Sequence, residues 1–337
     1  MNHHTAAFIM PVKLSGDDLE LRLFREAVDS VKNQTDNNWL LIMVDDLSDS
    51  QKVYDVIDEM KEDLKDKLHV IYTDKNCGSG AARNKGVRYA HAIGAPFILF
   101  NDSDDISDPR RLELVRKAFE KDDSVNVVYT SFDVIDENGA VVPHDQILMS
   151  VREIIDGHQV DIVEGENAWI GIATRKKYTN LTSCTAVRTS LAIQEPFPSE
   201  SVSEDSHTWV RYAAHPGKFV FLRDIKGGYR ICSNVASRSR SVNANFYQKM
   251  FEVDSAGFEE AVKIARKYGT MGGLDENDIR TAFYVRLALS LLHGESVKYC
   301  KESLDKALAI SKERTLAYID QLYCAPEYKE SMKALAQ

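Results

Sequence analysis

The chain has 337 residues, 44% of them hydrophobic and 28% charged. That length holds one large domain or two smaller ones, and the proportions exclude a disordered or fibrous chain. Forty-two basic against 52 acidic residues give a formal net charge of −10, which argues against a general nucleic-acid binder, whose affinity comes from phosphate neutralisation on a basic face.

Phe8–Val12 is a short apolar run containing Pro11 and reads as a buried strand closed by that proline. Asp17 or Asp18 caps the helix that follows, in which Leu21, Phe24, Val28 and Val31 recur at helical spacing. Trp39–Val44 is a second continuous apolar run and ends at Asp45-Asp46. Gln51–Lys65 is a charged helix, and Leu68–Tyr72 a third strand. The turn Gly78-Ser79-Gly80 opens a helix to about Ile93, with Gly94 as its C-cap. Pro96–Phe100 is a fourth strand, followed by Asn101-Asp102-Ser103-Asp104-Asp105. Asp108-Pro109 reads as a cap and a first helical position, with Leu112, Val115 and Phe119 as the buried stripe. Val125–Tyr129 is a fifth strand.

Strand and helix alternate with short connections, which predicts an α/β fold: a mostly parallel sheet sandwiched by helices. After Phe132 the alternation weakens, and residues 133–243 read as mixed strands, loops and a few helices. From about Asn245 the pattern is helical, with Val285, Ala288, Leu289 and Leu292 on one face. The expected division is a catalytic domain over 1–243 and a C-terminal helical subdomain over 244–337, long enough for four or five helices. Between Lys301 and Lys333 the tail carries six basic and six acidic residues, which disfavours an electrostatic membrane anchor. A bundle packed on the catalytic domain, or a homo-oligomer contact, is the expected use of the tail.

Cys77, Cys184, Cys232, Cys300 and Cys324 are widely spaced and odd in number, as for free thiols in a reducing compartment. Met1–Ala7 lacks the charged and apolar blocks of a signal peptide. The longest apolar runs fall far short of the roughly 20 residues that span a bilayer. The expectation is a cytoplasmic protein with no transmembrane segment and no nucleic-acid partner.

The chemistry is expected where acidic residues follow strands. Ligands of open α/β sheets bind beyond the carboxyl ends of the strands. There this sequence places Asp45-Asp46 and Asp102-Ser103-Asp104-Asp105. Crowded carboxylates call for a cation between them, and Mg²⁺ or Mn²⁺ prefers such hard oxygens together with substrate phosphates. Asn76 through Gly86 is a Gly-rich helix start, a natural anion site, but has neither P-loop nor dinucleotide-binding spacing.

Taken in order, these segments resemble the GT-A glycosyltransferases, specifically glycosyltransferase family 2. Phe8-Ile9-Met10-Pro11-Val12 is similar to the family's opening strand. Val44-Asp45-Asp46-Leu47-Ser48-Asp49-Ser50 is similar to its V-D-D-x-S-x-D segment, with Ser50 for the last Asp. Gly78–Gly86 resembles its G-x-x-x-A-R-N-x-G helix start, Ile98–Asp105 its D-x-D strand, and Glu204-Asp205 its later E-D pair. The resemblance covers about residues 6–240 and leaves out the tail.

It implies a metal-dependent, inverting glycosyltransferase that takes a nucleotide-diphosphate sugar, with UDP expected, to a glycan, lipid-linked or protein acceptor. Asp45 would meet the base, with Pro11 and Arg83 nearby; Asp102 would hold ribose or metal beside Ser103; Asp104 would ligate Mn²⁺ or Mg²⁺; Asp205 would be the catalytic base. Arg230 would help hold the diphosphate, and the role of Asp46 is left open. Family members often carry Tyr-Arg-x-His here, and Tyr229-Arg230-Ile231-Cys232 puts Cys232 where the metal-binding His would be. Either Asn234 or water would then complete the shell, or metal binding would be weakened. Trp169 and Trp209 fall where acceptor contacts would form, though an aromatic in such a region is more often core, and Arg175-Lys176-Lys177-Tyr178 is the densest basic run.

Two other readings stay open. A catalytically degenerate sugar- or nucleotide-binding module or scaffold would explain Cys232. A sugar nucleotidyltransferase would need a Gly-rich basic loop after the first strand, which Pro11–Gly16 does not resemble.

Overall fold

The computed structural model describes residues 5–175, 180–200, 202–232 and 245–337. Lys176, Lys177, Tyr178 and Asn234 lie outside them, as does the expected boundary near 243.

The first half alternates as the sequence predicts: β1 (Ala6–Val12), α1 (Asp18–Lys32), β2 (Trp39–Asp45), α2 (Gln51–Leu64), β3 (Leu68–Tyr72), α3 (Ser79–Ala92), β4 (Phe97–Phe100), α4 (Arg111–Lys121) and β5 (Val125–Ile135). Then come α5 (Met149–Val160), α6 (Ala168–Thr174), β6 (Thr185–Arg188), α7 (Thr189–Gln194), α8 (Glu204–Ala214) and β7 (Lys218–Arg230). The seven strands form one sheet in the order β3-β2-β1-β4-β6-β5-β7. Among the described strands only β6 runs against its neighbours, β4 and β5, so the sheet is mostly parallel. With helices on both faces, this is the GT-A fold.

Of the two aspartates the sequence offers, Asp17 caps α1, its carboxylate accepting from the Leu19 and Glu20 amides; Asp18 faces Lys52 at 2.9 Å. Two local readings are corrected. Asp108-Pro109 forms the turn before α4, whose helix starts at Arg111, and Asp108 accepts from the Arg110 amide at 2.8 Å.

Pro11 does not close β1; the strand continues to Val12 beside β2. On the other side, β4 pairs only with Ala7–Ile9. The missing N–H of Pro11 therefore falls past the end of β4, where no ladder acceptor waits, and this opening beyond β4 becomes the site.

One sheet face packs Phe8, Met10, Leu41 and Met43 under α1, α2 and α4. The other packs Ile9, Ile42 and Val44 under α3, α7 and α8, and the same cluster continues without a break into the tail. Among the described residues the tail has five helices: Phe246–Tyr268, Glu276–His293, Val297–Ile310, Lys312–Gln321 and Pro326–Leu335. Phe258 of the first stacks on Phe283 of the second with ring centroids 3.9 Å apart. Trp169 of α6 donates its indole N–H to the Thr270 carbonyl at 2.7 Å. The first tail helix crosses α8 closely, because a Cβ on Gly257 would sit 2.8 Å from His207 Cα. Among the described residues no helix is long and apolar enough to cross a membrane.

Candidate active site

A cleft of about 890 Å³ opens beyond the carboxyl ends of β1, β2 and β4, against the first turns of α3 and α8. Its wall is strongly acidic. The loop after β4 supplies Asp102, Ser103, Asp104 and Asp105, all on the cleft. This loop is tied down by Asn101, wholly buried, whose side-chain amide donates to the Asp102 and Asp105 carbonyls at 3.0 and 3.1 Å. The Asp102 amide donates to Ser183 Oγ at 2.9 Å. Burial, with the charges of Asp104 and Asp102 beside it, pushes Asp105 well above the ordinary carboxylate range. Its Oδ1 accepts from the Arg230 amide at 2.8 Å.

Arg230 stands behind this loop. Its Nε donates to the Asp104 carbonyl, Nη1 to the Asp136 carbonyl and Nη2 to Glu26 Oε2, each at 2.8 Å. It is 5% exposed and does not line the cleft. With all three guanidinium nitrogens engaged, Arg230 braces the acidic loop and is not placed to hold a diphosphate.

The two adjacent aspartates after β2 part ways. Asp45 accepts from Ser48 Oγ at 2.5 Å and from the Ser48 amide, and lies off the cleft wall. Asp46 lines the cleft and accepts from the Gly78 and Cys77 amides at 2.7 and 2.9 Å. Of the two, it is Asp46, whose role the sequence left open, that reaches the cleft wall, with its carboxylate bound to the turn before α3. Pro11 lines the cleft as expected.

One turn of α3 explains the Arg-Asn-x-Gly pattern. Arg83 is buried and points into the cleft, 2.7 Å from Asp102 Oδ1 and 3.3 Å from Glu204 Oε1. Asn84 exchanges two hydrogen bonds with the Phe197 backbone, at 2.8 and 2.9 Å, holding the segment that leads to α8. Gly86 lets α3 settle on β1, where a Cβ would come 2.6 Å from Ile9 Cγ2.

Asp205 enters from the first turn of α8, opposite the β4 loop. Burial, then the neighbouring Glu204 charge, lifts its carboxyl to about 7, against the pull of Arg83. A carboxyl near 7 suits a general base at neutral pH. Glu204, which carried no role of its own in the sequence reading, also accepts from Ser79 Oγ at 2.9 Å. Its only signal was adjacency to Asp205.

Asp102 and Asp104 offer hard oxygen ligands suited to Mg²⁺ or Mn²⁺. Among the described residues no group of three or more His, Cys, Asp or Glu side chains is arranged to hold an ion alone. Mg²⁺ is typically held by one or two carboxylates together with substrate phosphates. Cys232 is on the cleft wall. Trp169 and Trp209 are both fully buried; Trp209 packs edge-on to Phe197, with ring centroids 5.7 Å apart. Neither presents a ring face to an acceptor, because both complete the core under the sheet.

A GT-A glycosyltransferase domain is the class that this fold matches. Residues 9–185 match the profile described as Glycosyl transferase family 2, and the chain belongs to that family. It is 33% identical over 122 residues to an uncharacterized glycosyltransferase of Methanocaldococcus jannaschii, a match spanning 36% of this chain and 40% of that relative. The chain thus spans less than half the length of the curated relatives it matches first. Among solved structures, S. aureus TarS 1–349 superposes with a TM-score of 0.61 at 19% identity, over 98% of this chain and 90% of that one. TarS 1–349 has also been solved with UDP-GlcNAc. The mannosyltransferase PcManGT from Pyrobaculum calidifontis, in complex with GDP-Man and Mn²⁺, superposes with a TM-score of 0.53 at 16% identity, over 98% of this chain and 85% of that one.

Proposed function

We propose that the chain is a metal-dependent, inverting glycosyltransferase. It would move a sugar from a nucleotide-diphosphate donor, with UDP the first base to test, to an acceptor hydroxyl in polysaccharide or glycoconjugate synthesis. The observation that carries this reading is the placement of Asp205 across one cleft from Asp102 and Asp104, with Arg83 between them.

Asp46 and Pro11 form the inner wall on which the nucleoside lies. Asp102 and Asp104 would hold the divalent cation that accompanies the donor diphosphate. When bound, that ion supplies Lewis-acid stabilisation of the charge developing on the leaving oxygen. Arg83 keeps Asp102 and Glu204 in register. Asp205 takes the proton of the attacking hydroxyl as the bond to the anomeric carbon forms and the bond to the diphosphate oxygen breaks. One base and one leaving-group site imply a single displacement with inversion. In this reading residues 1–243 catalyse, 244–337 support them, and the site of action is the cytoplasm, consistent with described cysteines that form no disulfide.

The test is a thermal-shift screen of UDP, GDP, CDP and dTDP with Mn²⁺, Mg²⁺ or EDTA. A ligand bound only by the folded state adds about 2.7 kcal/mol of stability at a hundredfold excess over Kd. One nucleotide stabilising only with metal supports the donor site; no shift with any of them removes it. Cys232 on the cleft wall favours a second reading, a binding module without turnover. Nucleotide binding with no donor hydrolysis or transfer would select it.

A further inference from the structure

A second chamber, of about 410 Å³, lies on the far side of Asp205. Its size falls among small-molecule pockets, about 300–1,000 Å³. Ser203 and Asp205 line both it and the main cleft, so the carboxyl that separates the two cavities is the one placed as the base. The opposite wall comes from the tail, with Tyr247, Met250, Asp254 and Arg286, while α5 closes one side.

The chamber contains a buried group with unused capacity. Asp254 is 5% exposed, yet its Oδ1 has no hydrogen-bond partner. Leaving a buried carboxylate oxygen unmatched costs stability unless a donor arrives. Burial raises its carboxyl to about 6, while the Arg286 charge and the Ser206 and Ser203 hydroxyls pull it down. Arg286 commits its Nε to the Ala173 carbonyl at 3.0 Å. A carboxylate that accepts and a guanidinium that donates suit neighbouring hydroxyls, each of which does both. The partly buried Tyr247 adds an aromatic wall of the kind that packs on sugar rings. The chamber is not cationic. Asp205, Asp254 and Glu153 face Arg286 and Arg175, and Arg175 is already 2.6 Å from Asp161.

We propose that this tail-built chamber is the acceptor subsite, and that it takes an uncharged glycosyl ring whose vicinal hydroxyls are held by Asp254 and Arg286 while another hydroxyl reaches Asp205. The assignment rests on the glycosyltransferase reading for its catalytic meaning. The chamber and its ligand class are tested without turnover.

The experiment uses the full chain and saturation-transfer NMR with methyl glucoside, methyl galactoside, methyl N-acetylglucosaminide and glycerol phosphate, with and without UDP and Mn²⁺. Wild type should show transfer to at least one neutral glycoside. Asp254→Asn, close in size, and Met250→Trp, which fills the chamber without touching the charges, should each weaken that binding at least tenfold. Both should keep a cooperative melting transition and the shift induced by UDP and metal. Glycoside binding equal to wild type in either folded variant overturns the proposal, as does no glycoside binding at all. Preference for glycerol phosphate overturns the uncharged class. Loss of the UDP and metal shift in wild type itself, with glycosides still bound in the chamber, overturns the glycosyltransferase reading and leaves the chamber standing.

Discussion

Arg83 Nη2 lies 2.7 Å from Asp102 Oδ1, joining the α3 helix to the acidic loop after β4. The same guanidinium reaches Glu204 at 3.3 Å, beside Asp205. One buried cation thus links the Asp102 side of the cleft to the Glu204–Asp205 side. Removing it would leave two carboxylates without a counter-charge.

Arg83→Met should therefore lower both stability and donor affinity. A fully buried pair costs about 3–5 kcal/mol when one partner is removed. Because the Asp102 side chain is 30% exposed, water screens part of this, and a loss on the order of 2 kcal/mol is expected. Chemical denaturation measures the first effect and nucleotide titration the second. Wild-type values in both would show that the linkage carries no energy.

Asp205→Asn should leave metal-dependent nucleotide binding nearly intact and lower transfer by on the order of 10²–10⁴-fold. In wild type, turnover should rise with pH through an apparent pKa near 7, as the carboxyl ionises. Stability should move the opposite way. The folded pKa lies above the ordinary carboxylate value, so between about 4 and 7 the folded state holds a proton that the unfolded chain has released. Stability is then lost as pH rises through 7. Asp205→Asn lacks this loss, so its melting temperature should exceed that of wild type at pH 8 by more than at pH 5. A pH-independent difference would remove Asp205 as the titrating group.

Arg230→Met separates two roles. As the brace seen here, Arg230 satisfies the Asp104 and Asp136 carbonyls. Its loss should lower the melting temperature and metal-dependent nucleotide affinity together, since the acidic loop loses its support. A direct contact to diphosphate would instead lower affinity at unchanged melting temperature. Differential scanning fluorimetry with and without nucleotide and Mn²⁺ reads both.

These residues also mark where the sequence stopped being informative. The continuous apolar runs ending in acids placed β1, β2 and β4 and the cleft beyond them, because doubly covered parallel strands need exactly such runs and nothing else competes for them. Which of Asp45 and Asp46 faces the cleft depends on a turn with Leu47 at φ 65°, a conformation a leucine does not advertise. Arg230 falls behind the loop through the pairing of β5 with β7, a contact across nearly a hundred residues. Trp169 and Trp209 carry the same residue type whether they bind a sugar or fill a core, and burial decided for the core. Asp254 belongs to a helix outside every motif, so only the folded chain brings it beside Asp205.

The packing of the tail on α8 gives the last prediction. Gly257 Cα lies against His207, two residues beyond Asp205 on the same helix, and an added Cβ would meet His207 Cα at 2.8 Å. Backbone cannot swing aside as a side-chain tip does, so Gly257→Ala forces the two helices apart. Overpacking of this kind costs about 1–3 kcal/mol. The displacement acts on α8, which carries Asp205, the proposed base, and not on the β4 loop. Gly257→Ala should therefore lower the melting temperature and turnover while nucleotide affinity with Mn²⁺ stays near wild type. If affinity falls as far as turnover, the tail supports the whole cleft and not α8 alone.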